Sequence, residues 1–243
     1  MYRHIHQIIE APFVSLGPHQ VRQAIPTQQL EQFSPFILLH HFDLTIQAGE
    51  GFKVPPHPHR GFCPITYMFN GRIKHKDSLG NEESIGSDEV QWINAGSGLL
   101  HSEEADEAFT LSGGRFQGIQ LWINLPASEK MNPPSYLAIR KNQIPVIEEE
   151  GVRIQIVSGT LHDQVGPAPS PVTTAMMYLT SNASYTLHPK NNEHVAIYIL
   201  EGALQINETT NASSNQFVSF ETAENPIALH ATENTKLLFL AGQ

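Results

Sequence analysis

Two short stretches carry side chains that could do chemistry together: Pro56-His57-Pro58-His59-Arg60-Gly61-Phe62 and Ala95-Gly96-Ser97-Gly98-Leu99-Leu100-His101-Ser102-Glu103. Each holds two potential metal ligands at positions i and i+2. Alternate side chains of a strand project to one face, so His57 and His59 can aim at a single point, and so can His101 and Glu103. Three imidazoles and a carboxylate suit a divalent first-row transition metal, and iron, copper, nickel and zinc all fit such a set. The chain has 13 histidines, so His-Pro-His alone would be a weak signal. The second pair, placed after a Gly-rich turn, makes a shared site the expected reading. Four protein ligands leave one or two positions for water, substrate or dioxygen. A closed structural site would more often use cysteine, and the single Cys63 lies outside both ligand pairs. The small residues 95–98 let the backbone approach an ion closely. Glu103 has the widest latitude, as a plain ligand or as a base that takes a proton from a substrate hydroxyl.

The elements around these residues read as β. Ile119, Leu121, Ile123 and Leu125 alternate with Gln120, Trp122 and Asn124, the period of a half-buried strand. Ile65 to Phe69 and Arg72 to Lys76 flank Asn70-Gly71, which predicts a two-residue hairpin with both central residues at positive φ. Ser78-Leu79-Gly80-Asn81 supplies a further turn, Val90 to Asn94 another strand, and Ile5 to Glu10 and Gln20 to Ile25 two short β runs. Strands this short, separated by Gly, Asn, Asp and Pro, predict an antiparallel sandwich or barrel. Ile37 to Phe42 reads as a buried strand, with His40 and His41 expected as satisfied core histidines or supports of the site and not as ligands. Phe62, Phe69, Trp92 and Phe116 are expected in the core, and Cys63 as a small buried thiol.

The second half echoes the first. Laid without a gap, His57 to Gly71 falls on His188 to Gly202 with His-Pro, Tyr and Gly identical, and His101 falls on His230 after one inserted residue. In that register Lys190 replaces His59 and Thr232 replaces Glu103, so the second site is expected to be degenerate; His194 lies nearby. Asn132-Pro133-Pro134 is the linker candidate, dividing the chain into residues 1–133 with the metal site and 134–243 without one. Residues 166–171, Gly-Pro-Ala-Pro-Ser-Pro, read as a rigid loop.

Composition excludes other classes. A net charge of −10 with only 16% charged residues argues against direct nucleic-acid binding, which needs clustered Lys and Arg, though not against a basic protein partner. No stretch approaches 18 apolar residues and the N-terminus lacks an apolar signal core, so no membrane association is expected. One cysteine forms no internal disulfide, in keeping with a reducing, cytoplasmic setting.

The stretch from about residue 40 to 135 resembles the pirins, a branch of the bicupins. The resemblance rests on Pro56 to Phe62, Thr66-Tyr67, Asn70-Gly71, His75-Lys76-Asp77-Ser78 followed by Gly80-Asn81, Ile85-Gly86, Asp88 to Trp92, Ala95-Gly96, Gly98, His101-Ser102-Glu103 and Gln120 to Pro126. Cys63-Pro64 departs from it, standing where such proteins carry an acidic residue and a small or β-branched one. The resemblance implies an all-β bicupin, two antiparallel β-barrels from a duplicated unit. One divalent metal is then expected on His57, His59, His101 and Glu103, with Fe(2+) first and Cu, Ni, Mn, Co or Zn as alternatives. It further implies a quercetin-2,3-dioxygenase-type oxygenase that opens a flavonol-like aromatic substrate with dioxygen, Glu103 removing the substrate's hydroxyl proton. The alternative among pirin-like proteins is a non-catalytic, metal-redox-dependent regulator that binds a protein partner.

Overall fold

A computed structural model describes residues 1–243, nearly all of them in strands and turns. The only α-helix, Glu107–Ser112, starts where the Asp106 side chain accepts from the Ala108 N–H at 3.1 Å. No helix is long and apolar enough to cross a membrane. The backbone divides into two units, Phe13–Pro26 with Leu30–Lys141, and Met1–Pro12 with Thr27–Gln29 and Asn142–Gln243.

In the first of these, a seven-stranded antiparallel sheet runs Ser135–Ile139, Val90–Asn94, Phe62–Asn70, Gly114–Asn124, Phe36–Ile46, His19–Ile25 and Phe13–Leu16 from edge to edge. A four-stranded sheet runs Lys53–His59, Leu99–Ala105, Arg72–Asp77 and Glu82–Gly86. Apolar side chains of both meet in one cluster, Phe42, Met68 and Phe116 from the larger sheet with Ile73, Ile85 and Ala105 from the smaller. The alternation along Gly114–Asn124 is realised: Ile119, Leu121 and Ile123 are buried on one face, and Gln120 and Trp122 occupy the other.

The second unit repeats this order strand for strand. Its large sheet runs Ile5–Glu10, Gln216–Phe220, His194–Glu201, Thr235–Gly242, Thr173–Leu179, Val152–Ser158 and Val146–Glu149. Its small sheet runs Ser184–Leu187, Ile227–Ala231, Ala203–Ile206 and Thr210–Ser213. The edge place held by Ser135–Ile139 in one unit is held here by Ile5–Glu10, taken from the other end of the chain.

The fold is therefore all-β and built twice, as expected, but the sheets are not closed barrels. Each large sheet keeps two edge strands, and the chain passes between large and small sheets at corners, giving open sandwiches. The Asn70-Gly71 dipeptide is one such corner and not a hairpin. Phe62–Asn70 pairs with Val90–Asn94 and Gly114–Asn124, whereas Arg72–Asp77 pairs with Leu99–Ala105 and Glu82–Gly86 in the other sheet. Only Gly71 takes a positive φ, +88°, and a Cβ there would come within 3.0 Å of Phe116 and 3.1 Å of the Arg115 carbonyl. The positive φ and the close packing under the corner both call for glycine.

Candidate metal centre

Lys53–His59 and Leu99–Ala105 are antiparallel neighbours, with His57 directly opposite His101 and His59 opposite Leu99. Period two along the first strand and cross-strand pairing to the second bring three rings to one place. The Nε2 atoms of His57 and His101 lie 3.0 Å apart, and the ring nitrogens offered by His57, His59 and His101 all lie within 4.8 Å of one another. His59 and His101 are buried and His57 is half-buried.

Three features of these rings fit a cation. First, burial, aided by the neighbouring imidazoles, holds His59 and His101 down to about 3, so both are neutral near pH 7 and keep a lone pair. Second, the buried Nε2 of His59 has no hydrogen-bond partner, a costly arrangement for a polar atom unless something else satisfies it. Third, Nδ1–H of His57 donates to the Pro55 carbonyl at 2.9 Å, leaving Nε2 bare. Two nitrogens about 2.1 Å from one ion and about 90° apart would lie about 3.0 Å from each other, which is the observed His57–His101 spacing.

Glu103 follows a register shift after His101, and its carboxylate lies outside the compact triad. Oε1 accepts from Thr66 Oγ1 at 3.2 Å and Gln91 Nε2 at 2.7 Å, and Oε2 accepts from Gln120 Nε2 at 3.2 Å. These donors are no accident of rotamers. Gln91, Thr66, Gln120, His40 and Gln23 stand side by side across five adjacent strands of the large sheet, forming one inward polar row. His40 sits in that row, bonded through Nε2 to Gln23 Oε1 at 2.7 Å and held down to about 4 by burial. It lines the cavity and is not part of the triad, and neither is His41.

A cavity of about 580 Å³ opens on this site. His57, His59, Glu103, Thr66 and Gln120 lie on its wall, and the rest is chiefly apolar, including Val21, Phe42, Phe52 and Ile73. Phe62 and Trp122 stack with ring centres 4.5 Å apart beside His59. Of the aromatics assigned to the core, Phe69, Trp92 and Phe116 are buried there, while Phe62 faces the cavity. Cys63 is buried off the cavity wall, and burial pushes its thiol up to about 12.

The two halves of the chain match two profiles in series, that of pirin over residues 18–123 and that of the pirin C-terminal cupin domain over residues 174–243. The chain belongs to the pirin family. A pirin-like protein of Caulobacter vibrioides is 32% identical over 233 residues, which cover 92% of this chain and 81% of that protein. The crystal structure of quercetin 2,3-dioxygenase from Acinetobacter baumannii superposes with a TM-score of 0.94 at 31% identity, covering 100% of this chain and 88% of that one. The bacterial pirin YhhW of Escherichia coli, solved in complex with nickel(II), shares the fold at 22% identity with a TM-score of 0.75, covering 97% of this chain and 98% of that one.

In the C-terminal cupin domain of this pirin the sheets do not place His230 where the match with one inserted residue puts it. Ser184 stands opposite His230 as Lys53 stands opposite Glu104 in the N-terminal unit, and Gln205 flanks His230 as Lys74 flanks Glu104. His230 therefore takes the place of Glu104 and not that of His101; Ser184 Oγ lies 2.9 Å from His230 Nδ1. His188 follows that strand and lines a separate cavity of about 190 Å³ with His162, Lys190 and Glu193. A shift by an odd number of residues in a period-two element turns a side chain to the other face. We expect metal titration of the whole chain to saturate at one equivalent of tight binding, and two equivalents of similar affinity would refute this.

Gln91, Gln120 and Trp122 carry roles that sequence reasoning did not assign. The one available signal was Trp122, a large aromatic on the polar face of an alternating strand.

Proposed function

We propose that this pirin is a ring-cleaving dioxygenase of the quercetin 2,3-dioxygenase type, with a flavonol-like aromatic substrate bound beside the histidine triad. The observation that carries this reading is the cavity: its volume of about 580 Å³ lies within the roughly 300–1,000 Å³ usual for small-molecule sites, and its few polar groups converge beside the three imidazoles. The likeness to the A. baumannii dioxygenase supports it.

His57, His59 and His101 would hold the ion, with Glu103 as the fourth ligand and Fe(2+) the first choice. Bound there, the metal would supply Lewis-acid and redox chemistry toward a hydroxy-ketone and dioxygen. The remaining work falls to the chain. The Phe62–Trp122 stack offers a flat apolar wall to an aromatic ring system. Thr66 and Gln91 fill both acceptor sites of Glu103 Oε1, whereas Oε2 receives one donor and keeps one open site, which would bind the ion at rest and take the substrate's hydroxyl proton once substrate displaces it there. Neutral donors on three strands of one sheet hold that carboxylate still, so little reorganisation accompanies proton transfer.

The test is to load the purified chain with iron(II), and in parallel copper(II) and nickel(II), and supply quercetin under dioxygen. Consumption of one dioxygen and release of one carbon monoxide per flavonol is the expected result. Metal-loaded protein that leaves the flavonol intact in every case would overturn the assignment and favour a metal-dependent regulator.

A further inference from the structure

Beside His101, and off the cavity wall, lies a chain of buried polar groups that the site as described does not use. His75 Nδ1 is 3.4 Å from His101 Nδ1, and His75 Nε2 is 3.0 Å from Asp77 Oδ2. The side chains of His75 and Asp77 have no solvent-exposed surface. Asp77 accepts three further hydrogen bonds: Oδ1 from the Leu79 N–H at 2.9 Å and the Asn81 N–H at 3.0 Å, and Oδ2 from Asn81 Nδ2 at 2.8 Å. Tyr136 lies flat on the His75 ring, with centroids 4.1 Å apart and planes 9° from parallel.

Donor–acceptor logic then sets each proton. An ionised carboxylate only accepts, so His75 Nε2 carries the hydrogen that points at Asp77. With that one proton on its ring, His75 presents a lone pair at Nδ1. The bond between the two Nδ1 atoms therefore needs its hydrogen from His101. A neutral His101 protonated at Nδ1 has a bare Nε2, and Nε2 is the atom 3.0 Å from His57 Nε2 in the triad.

We propose that Asp77 and His75 are positioning residues that lock His101 in the tautomer able to ligate through Nε2, and so set the metal affinity of the triad. This rests on the reading of the triad as a metal site, and not on the dioxygenase assignment. The turn Asp77 to Asn81 orients the carboxylate, the carboxylate orients His75, and the stacked Tyr136 fixes the plane of that ring. Register places the pair: Asp77 stands opposite His101 on the neighbouring strand and His75 opposite Glu103.

Asp77→Asn is the informative change because it reverses the relay. The amide oxygen can keep the two backbone N–H bonds, which leaves the amide nitrogen, a donor, facing His75 Nε2. His75 must then accept there and carry its proton on Nδ1. His101 Nδ1 becomes the acceptor, and its proton moves to Nε2, where it blocks ligation. His75→Leu removes the acceptor for His101 altogether. His75→Gln can still donate to Asp77 and accept from His101, and should restore what His75→Leu loses.

Two measurements on the full-length chain decide this. In the metal-free protein, ¹⁵N–¹H correlation of the histidine rings should report His101 protonated at Nδ1 in the wild type and in His75→Gln, and at Nε2 in Asp77→Asn. Nickel(II) affinity, measured by competition with a chelator, should fall by about 10- to 100-fold in Asp77→Asn and His75→Leu and stay near the wild-type value in His75→Gln. A wild-type His101 protonated at Nε2 would overturn the proposal. So would unchanged affinity in Asp77→Asn or, where that variant does not fold, in His75→Leu. Absence of nickel(II) binding by the wild-type chain would overturn the metal-site reading itself, and the tautomer signals, which need no metal, would judge the relay alone.

Discussion

Glu103→Gln is expected to lower flavonol turnover by about 10²- to 10⁴-fold, the usual cost of losing a general base, while much of the bound metal stays. The substitution keeps the length of the side chain and one oxygen. It removes the charge and replaces the other oxygen by an amide nitrogen. Gln91 and Thr66 donate to Oε1, so a glutamine oxygen would settle there and turn its NH₂ toward Gln120 and the cavity, where Oε2 now accepts. A donor then stands where the proton should be received. The comparison is single-turnover flavonol cleavage at matched metal occupancy and dioxygen. Activity that survives at full occupancy would remove Glu103 as the base and leave the enzyme assignment standing. Under a purely regulatory role there is no rate to lose, and the change would act on the redox preference of the metal and on partner affinity.

The second large effect is on the metal itself. His59→Ala should lower metal affinity by well over ~100-fold, because even the hydrogen-bond partners behind a ligand typically cost 10- to 100-fold. His59 is the sharpest choice among the three. Its Nε2 is buried without a hydrogen-bond partner, and the ring packs against Phe62 and Trp122, so no neighbouring side-chain donor is placed to substitute. His101→Ala should behave alike, with turnover lost through loss of metal and not through the proton step. Equilibrium dialysis followed by elemental analysis reads both. Metal retained by His59→Ala at wild-type affinity would show that the triad does not hold the ion, and the cavity chemistry would need another centre.

Much of the site was legible because it depends on local geometry. Two ligands at i and i+2 on a strand share a face whatever the rest of the chain does, so His57 with His59 could be paired from spacing alone. The period-two run 119–125 named its buried face for the same reason, and the order of apolar runs carried enough of the duplication to reveal two similar halves. Chemical type also travels with the residue: imidazoles clustered beside small residues suit a transition metal in any antiparallel sandwich.

What the tertiary structure decided is every choice among distant partners. Nothing local says that residues 53–59 pair with 99–105, which sets His57 against His101. The Asn70-Gly71 dipeptide fits a hairpin by its own preferences, yet the strands on either side join different sheets. Ile5–Glu10 reads as a strand but gives no sign that it completes a sheet with Gln216–Phe220, more than 200 residues on. The same holds for Glu103, whose three donors come from three strands of the facing sheet, and for Asp77 and His75, which reach His101 only through strand register. The physical reason is common to all of these. Backbone preference and side-chain alternation are set by nearest neighbours, whereas register and sheet membership are set by burying one apolar face against another, a quantity that belongs to the whole chain.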